Sequence, residues 1–431
     1  MPATIDRMLA SPKGAVVGVE FPRGYGADDQ NPLGLTPKGI RTLDERLAEA
    51  VNLAQALQID VVHSESVHLS RITPSTLLGG GVVERLALLV AEKKIEVVFV
   101  DAALSPRQQR ELEVQLKVKV VDRTGVILDI FAARARTRAG QLQVEVAQLM
   151  YQQSRLVRLW SHLERQRGGT GKASGPGERQ LDIDKSLLKT RLARVRADLR
   201  EVEQTRGLQR MARQKADVPT VALVGYTNAG KSTLFNKMVD AGTLMADALF
   251  ATLDPLMRRL ELPGGLEVVL VDTVGFIADL PHELVEAFKA TLEEVVMADM
   301  LLQVHYLSNP EMDAQADDVR NVLGQIGAAD KRVIQVYNKA DVAGGVVAPR
   351  NGIAVSGMTG AGVAELLEAI RTRLQADWET VTVEVPASDG RRLAWLHAHG
   401  DVTKQHLHEE TWTLVVKLRA SDLAAWRQMA V

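Results

Sequence analysis

One segment of the sequence combines residue types that bind phosphate. The segment VALVGYTNAGKSTLFNKM (221–238) contains the pattern Gly225-x-x-x-x-Gly230-Lys231-Ser232. The glycines let backbone N–H groups approach phosphate oxygens, the lysine reaches the β- and γ-phosphates, and the serine hydroxyl is a ligand for Mg²⁺. An ordinary glycine-rich turn would not need the lysine. The apolar run before the pattern and the amphipathic run after it predict a strand, a phosphate-binding loop and a helix.

Two further segments carry groups that could complete a nucleoside triphosphate site. LEVVLVDTVGF reads as a buried strand that ends in Asp272, whose carboxylate can hold Mg²⁺, and the N–H of the nearby Gly275 can bind the γ-phosphate. FATLDP lies where a mobile loop would cover the phosphate, and Thr252 is the candidate to close on Mg²⁺, with Thr243 as the second candidate. The residues assigned to catalysis are Lys231, Thr252 and Gly275, and those assigned to the metal are Ser232, Thr252 and Asp272.

The base is predicted to be guanine. VIQVYNKAD is another strand, and it ends in Asn338-Lys339-x-Asp341. A carboxylate at Asp341 accepts from N1–H and the 2-amino group of guanine, whereas adenine would leave it without donors. IAVSGMTGAG ends a further strand at Ser356-Gly357, where backbone N–H groups could bind the guanine O6. The phosphate loop, Asp272, Asn338 and Ser356 are each predicted to lie at the carboxyl end of a strand, as ligand sites in open α/β sheets do.

One group that many GTPases use is replaced in this chain. In many GTPases the residue after the glycine of the second switch segment, which is Gly275 here, is a glutamine that orients the attacking water. In this chain that residue is Phe276. We therefore expect slow intrinsic hydrolysis, with the missing group or ordering supplied by a partner or by closure of the switches.

The pattern of apolar residues predicts an α/β multidomain protein. Alternating strand-like and helix-like runs predict an N-terminal α/β domain, and from Gln141 the apolar spacing of 3, 4 and 7 predicts an antiparallel helical hairpin with a glycine-rich tip at 167–177. A G domain with a mostly parallel sheet and a small C-terminal α+β domain follow. The predicted boundaries are 1–136, 137–215, 216–377 and 378–431.

Charge is distributed unevenly along the 431 residues. The net charge is −2, yet residues 155–215 carry 16 lysines and arginines against 7 acidic residues. This local excess of basic residues indicates a polyanionic partner such as RNA, although a solvated spacer would also carry such charges. The candidate contacts with such a polyanion are Arg155, Arg158, Arg165, Arg167, Lys172 and Arg179.

Composition limits the cellular setting. The chain has no cysteine, which excludes disulfides and thiolate metal sites. It has no apolar signal-peptide core and no membrane span of roughly 18 uncharged apolar residues. We expect a cytoplasmic protein, with peripheral association with a membrane surface as a further option.

The whole set of motifs resembles the HflX-type ribosome-associated GTPases of the Obg-HflX group. The resemblance rests on DRTGVILDIFAARARTRAGQLQVEVAQL, WSHLERQRGG, GPGERQLDID, GYTNAGKSTLFN, FATLDP and DTVGFI. It implies a GTPase with GTP/GDP and Mg²⁺ as ligands that is a monomer away from the ribosome. It also implies association with ribosomes, with binding to the large ribosomal subunit through the hairpin and N-terminal domain, and splitting or rescue of stalled ribosomes under stress. The candidate ribosomal RNA contacts are then the six basic residues Arg155, Arg158, Arg165, Arg167, Lys172 and Arg179. The phosphate role falls on Gly225, Asn228, Ala229, Gly230, Lys231, Ser232 and Thr233, and the guanine role on Asn338, Lys339, Asp341 and Ser356.

Two other interpretations stay open at this point. The chain could be a regulatory binding protein that uses GTP as a latch on a protein partner, which Phe276 would permit. It could also be an ATP-dependent RNA-remodelling factor in which LLGGGVVERLALL forms a second nucleotide site, although no Lys-Ser pair follows those glycines.

Overall fold

The structure is a computed structural model that describes residues 11–22, 42–166, 176–215, 218–240, 249–250, 252–278 and 287–429. Within these ranges it gives only the backbone for 156–166, 176–182, 184, 203, 205–215, 289–291 and 421. None of the helices in these ranges is long and apolar enough to cross a membrane.

The first layer is a parallel sheet of four strands with order β2-β1-β3-β4. The strands are β1 (Lys13–Glu20), β2 (Asp60–His68), β3 (Val97–Asp101) and β4 (Lys119–Asp122). The helices are α1 (Leu43–Ala56), α2 (Gly80–Lys93), α3 (Pro106–Leu116) and α4 (Arg123–Arg134). Thr42 and Ser105 each form a capping box at the start of a helix, and Pro106 is the first residue of α3.

Two long helices, α5 (Arg138–Gln166) and α6 (Pro176–Lys215), form the hairpin. Ion pairs join Arg138 to Asp198 and Glu145 to Arg191, so residue numbers rise along one helix as they fall along the other, as an antiparallel pair requires. The seam buries Leu142, Val146, Leu149, Leu192, Val195 and Leu199. The predicted tip is too long at its end, because Pro176 and Gly177 already belong to α6; proline suits the first position of a helix.

The G-domain sheet has six strands in the order β10-β9-β8-β5-β7-β6, and β6 alone pairs antiparallel to its neighbour. The strands are β5 (Thr220–Gly225), β6 (Leu256–Glu261), β7 (Glu267–Asp272), β8 (Met300–Tyr306), β9 (Val333–Asn338) and β10 (Gly352–Ala354). The helices are α7 (Lys231–Met238), α8 (Lys289–Met297), α9 (Met312–Gln325) and α10 (Val363–Leu374), with a 3₁₀ turn at Ala340–Val342. The predicted site residues follow β5, β7, β9 and β10, at the carboxyl edge of this sheet.

The C-terminal part is an antiparallel sheet of three strands in the order β11-β13-β12. Its elements are β11 (Glu379–Pro386), α11 (Gly390–His399), β12 (Asp401–His408), β13 (Thr411–Leu418) and α12 (Ala420–Met429). This is the α+β arrangement that the sequence predicts.

One hydrophobic cluster joins the first sheet layer, the hairpin and the G domain. The Phe131 ring of α4 packs edge-on against Phe250 at a centroid distance of 4.7 Å and against Phe288 at 5.0 Å. The predicted divisions at 136 and 215 stay predictions, because this cluster continues across both.

Candidate nucleotide-binding site

The loop between β5 and α7 holds the predicted phosphate-binding residues. Gly225 has φ +152° and Gly230 has φ +84°, which side chains other than glycine rarely adopt. A Cβ on Gly225 would overlap the Val304 carbonyl oxygen, and one on Gly230 would overlap the Asn338 amide nitrogen. The α7 helix begins at Lys231 without a side-chain cap, and uncapped first-turn N–H groups are suited to binding phosphate.

The remaining predicted phosphate residues lie in the same loop and the first turn of α7. Asn228 is exposed with φ 62°, and the N–H of Ala229 donates to the Tyr226 carbonyl at 3.3 Å in a turn. Thr233 is half-buried in the first turn of the helix.

Lys231 folds back over the loop. Its Nζ donates to the carbonyl oxygens of Gly225 at 3.0 Å and Tyr226 at 2.8 Å, and the residue is only 6% exposed. Burial lowers the pKa of Lys231 to about 8, although the nearby Asp272 carboxylate acts in the opposite direction. An ammonium held only by neutral carbonyl oxygens is available to an incoming phosphate, which would stabilise its charge.

Three oxygen-bearing side chains from three segments meet beside the lysine. Ser232 Oγ lies 2.7 Å from Thr252 Oγ1, and both hydroxyls donate to Asp272 Oδ2 at 2.6 Å. Asp272 is fully buried, and burial raises its pKa, while the hydroxyl hydrogen bonds and the Lys231 charge lower it. One carboxylate and two hydroxyls in this arrangement form the all-oxygen donor set that Mg²⁺ prefers, so these residues fit the ion. Thr243, the second candidate, lies outside the described residues.

The segment after β7 packs against the phosphate loop. The Phe276 N–H donates to the Gly225 carbonyl at 3.1 Å, and the Phe276 carbonyl accepts from the Thr227 N–H at 2.7 Å. The Phe276 side chain is 1% exposed, so it belongs to the core and not to the phosphate pocket. Gly275 allows this approach, since a Cβ there would lie 2.9 Å from Thr227 Cγ2 and 3.1 Å from Lys231 Nζ.

Asn338 and Lys339 connect the end of β9 to the phosphate loop. Asn338 Nδ2 donates to the carbonyl oxygens of Ala229 at 2.9 Å and Gly230 at 3.2 Å. Lys339 Nζ donates to Asn228 Oδ1 at 3.2 Å and lies 4.5 Å from the centre of the Tyr306 ring. These contacts hold the end of β9 at a fixed position relative to the phosphate loop.

The other predicted guanine residues lie beside Asn338. The Ser356 hydroxyl donates to Asp341 Oδ1 at 2.7 Å, which orients that exposed carboxylate. The expectation for O6 needs revision in detail. The Ser356 N–H donates to the Ala361 carbonyl at 2.9 Å and the Gly357 N–H to Asn338 Oδ1 at 3.0 Å, so both donors already have acceptors. For the Gly357 N–H to bind the guanine O6, its hydrogen bond to Asn338 Oδ1 would have to be shared or broken.

Sequence reasoning missed a polar cluster that joins the first sheet layer to the G domain. The Tyr226 hydroxyl contacts Glu49 Oε1 and accepts from the Ala278 N–H at 2.8 Å. Arg123 Nη2 donates to Glu49 Oε2 at 2.8 Å and to the Ala278 carbonyl at 3.1 Å, and its Nη1 donates to Asp101 at 2.6 Å. Burial lowers the pKa of Arg123, but the two carboxylates outweigh burial and raise the pKa well above its usual value. An arginine in DRTGVILD gave no sequence signal beyond its family resemblance.

The predicted RNA contact of Arg155 stays a prediction, and the structure places this side chain in internal contacts. The guanidinium donates to Tyr151 Oη at 2.6 Å and to Asp122 Oδ2 and the Leu104 carbonyl at 3.4 Å each, and it contacts Gln109 Oε1. A guanidinium engaged on these acceptors ties α5 to the first sheet layer and has little capacity left for phosphate. Arg167 and Lys172, and the side chains of Arg158, Arg165 and Arg179, lie outside the described residues.

Comparison with protein-family models accounts for most of the chain. The matches are to GTP-binding GTPase N-terminal at 44–132, GTP-binding GTPase middle region at 134–213, 50S ribosome-binding GTPase at 220–339 and HflX C-terminal domain at 341–428.

Curated relatives match over similar lengths. The GTPase HflX of Magnetococcus marinus is 50% identical over 396 residues, which cover 90% of this chain and 92% of the relative. The GTPase HflX of Escherichia coli is 42% identical over 385 residues, which cover 87% of this chain and 88% of the relative. A GTP-binding protein from Sulfolobus solfataricus, solved in complex with GDP, matches with 19% identity and a TM-score of 0.44, covering 84% of this chain and 99% of that one. The chain therefore belongs to the HflX family of GTPases and is a GTP hydrolase.

Proposed function

We propose that this GTPase binds GTP with Mg²⁺ at the carboxyl edge of its six-stranded sheet and uses the nucleotide to control binding to the large ribosomal subunit. The observation that carries the proposal is the meeting of Ser232, Thr252 and Asp272 beside Lys231. A carboxylate, two hydroxyls and an ammonium at one helix N-terminus form a donor set suited to a metal triphosphate.

Each group has a distinct task in this proposal. Lys231 exchanges its two carbonyl acceptors for phosphate oxygens, and the N–H groups of the loop and of the first turn of α7 bind the α- and β-phosphates. Ser232, Thr252 and Asp272 would hold Mg²⁺, which would supply positive charge to the phosphates. Asp341 is oriented by Ser356 to accept from the guanine base.

Hydrolysis is proposed to be slow in the isolated protein. The Phe276 side chain is buried and has no hydrogen-bonding atom, so it cannot orient the attacking water. The Gly275 N–H is the proposed donor to the γ-phosphate, and a backbone N–H cannot accept a proton from the attacking water. A partner that orders this segment or adds a polar group would therefore raise the rate.

A ribosomal partner is supported by the family model of residues 220–339, whose description is a 50S ribosome-binding GTPase. It is also supported by the basic excess of residues 155–215, even after Arg155 is assigned to an internal contact. Splitting or rescue of stalled ribosomes under stress, and a cytoplasmic location, remain parts of this proposal.

Cosedimentation with purified ribosomal subunits tests the proposal. We expect the protein to pellet with large subunits in a non-hydrolysable GTP analogue and to stay in the supernatant with GDP or without nucleotide. Lys231→Ala should abolish the nucleotide dependence, because it removes the ammonium of the phosphate site. Absence of pelleting in every nucleotide state, together with intact GTP binding, would favour a GTP latch on a protein partner. ATP-dependent RNA unwinding would favour the remodelling factor.

A further inference from the structure

The chain on both sides of Thr252 is held by the bend between α4 and α5, here called the elbow (residues 131–140). On one side, the Phe250 ring packs edge-on against Phe131 of α4, and both rings are buried. On the other side, Asp254 Oδ2 accepts from the N–H groups of Arg136 at 3.1 Å and Thr137 at 2.9 Å. The Thr137 hydroxyl also contacts Asp254 Oδ1. An apolar contact and a polar contact therefore flank the threonine of the metal site.

Thr137 caps the first turn of α5, and Asp254 holds Thr137 from another part of the chain. The α5 helix begins at Arg138, and the Thr137 hydroxyl accepts from the Gly140 N–H at 3.1 Å. A carboxylate beside the first turn of a helix is stabilised by the N–H groups and by the helix dipole. Asp254 is only two residues from Thr252 in the chain, and the residue between them, Leu253, is buried. Two residues span at most about 7 Å, so fixing Asp254 restricts where Thr252 can lie.

We propose that the elbow is a positioning element that holds Thr252 at the Mg²⁺ site and thereby raises the affinity for GTP relative to GDP. This inference rests on the proposed role of Thr252. In GTPases of this class, loops around the metal are held by the γ-phosphate and its Mg²⁺ and are released when the phosphate is lost. A contact that holds Thr252 in place therefore stabilises the GTP state and adds nothing to GDP.

The coupling must act in both directions. If the elbow strengthens GTP binding, then GTP strengthens the elbow by the same factor. The amide hydrogens of Arg136 and Thr137, which donate to Asp254, should therefore exchange more slowly with the GTP analogue bound than with GDP bound.

The Thr137→Val variant tests the inference. It keeps the side-chain shape but removes the hydroxyl that contacts Asp254 and caps α5, whereas Thr137→Ser keeps the hydroxyl. Loss of a hydrogen bond to a carboxylate should weaken binding of a non-hydrolysable GTP analogue about tenfold, with GDP affinity unchanged and Thr137→Ser restoring wild-type values. The matched control is Thr190→Val on α6, where an exposed threonine hydroxyl donates to the Ser186 carbonyl at 2.9 Å, far from the elbow in sequence.

Isothermal titration of the two nucleotides against each variant gives the readout. An equal loss for GDP and the GTP analogue would assign Thr137 a merely structural role and overturn the inference, and so would no loss for either. Thr252→Ala separates this failure from failure of the metal assignment. If Thr252→Ala lowers only GTP-analogue affinity while Thr137→Val changes nothing, the metal role stands and the elbow role falls. If Thr252→Ala also changes nothing, the metal assignment itself is wrong.

Discussion

Replacing Phe276 with glutamine restores the residue type that orients water in many GTPases, and the structure predicts that it will not restore activity. The side chain is 1% exposed, and its backbone is paired with Gly225 and Thr227. A glutamine at this position would therefore place its amide in the apolar core beside the phosphate loop, away from the γ-phosphate.

The cost to stability can be worked out from this burial. Truncating a buried phenylalanine to alanine costs about 3 to 5 kcal/mol, and an unsatisfied buried amide costs about 1 to 3 kcal/mol. Glutamine refills part of the volume, so we expect a net loss of about 4 kcal/mol in the free energy of unfolding of the G domain. At about 3 °C per kcal/mol for a domain of this size, its thermal transition should fall by about 12 °C.

Thermal unfolding and single-turnover GTP hydrolysis at saturating enzyme check both parts. Phe276→Leu is the matched control, since it stays apolar and should cost only about 1.5 kcal/mol. We expect at most about a threefold change in the hydrolysis rate for Phe276→Gln, because a misplaced group contributes little to catalysis. A rise of about a hundredfold would refute this reasoning, since it would place the residue 276 side chain at the attacking water.

Three further predictions follow from the site and the hairpin. Burial lowers the Lys231 pKa to about 8 in the free protein, whereas a bound phosphate favours the ammonium. GTP affinity should therefore fall as the pH rises above about 8, by up to about tenfold per pH unit; calorimetric titration that found no fall in this range would contradict this. Asp341→Asn should shift preference from GTP to XTP, because xanthine presents an oxygen where guanine presents an amino group; competition between the two nucleotides measures the shift, and an unchanged ratio would exclude Asp341 as the base reader. A short neutral turn in place of 167–175 should leave GTP binding intact but weaken binding to the large subunit and reduce the dependence of that binding on salt. Arg155→Gln should instead mainly lower the thermal transition, because Arg155 makes internal contacts. A tip variant with the wild-type affinity and the wild-type salt dependence would indicate that the hairpin is only a spacer.

Local signals made much of the fold predictable. Two helix starts are determined by contacts within four residues. These are the capping box of Thr42 and Glu45 at α1, and the Ser105-Pro106 pair at the start of α3. The hairpin seam was readable because its apolar period is sustained over many turns. The phosphate loop, Asp272 and Asn338 were readable because their chemistry requires particular residue types at the ends of strands.

Contacts between distant segments were not predictable. The Tyr226 hydroxyl contacts Glu49, 177 positions away, and Arg123 reaches the Ala278 carbonyl 155 positions away. No local sequence pattern around Tyr226 or Arg123 indicates which distant residue it contacts. The internal partners of Arg155 were not predictable for the same reason, because nothing in the basic segment indicates that Tyr151 and Asp122 lie beside its guanidinium.

The length of α5 gives the hairpin the properties of a lever. The helix has 29 residues, so at about 1.5 Å per residue it extends about 43 Å from the elbow to Gln166. At its first turn α5 is held by Asp254, which lies two residues from Thr252, and α6 packs alongside it. Arg155 ties α5 to the first sheet layer, so the two would tilt together. A tilt of about 5° about the elbow would displace the far end of α5 by about 4 Å, by simple geometry on that length. Gain or loss of a single phosphate group could in this way produce movement large enough to break or form whole hydrogen bonds at a distant surface.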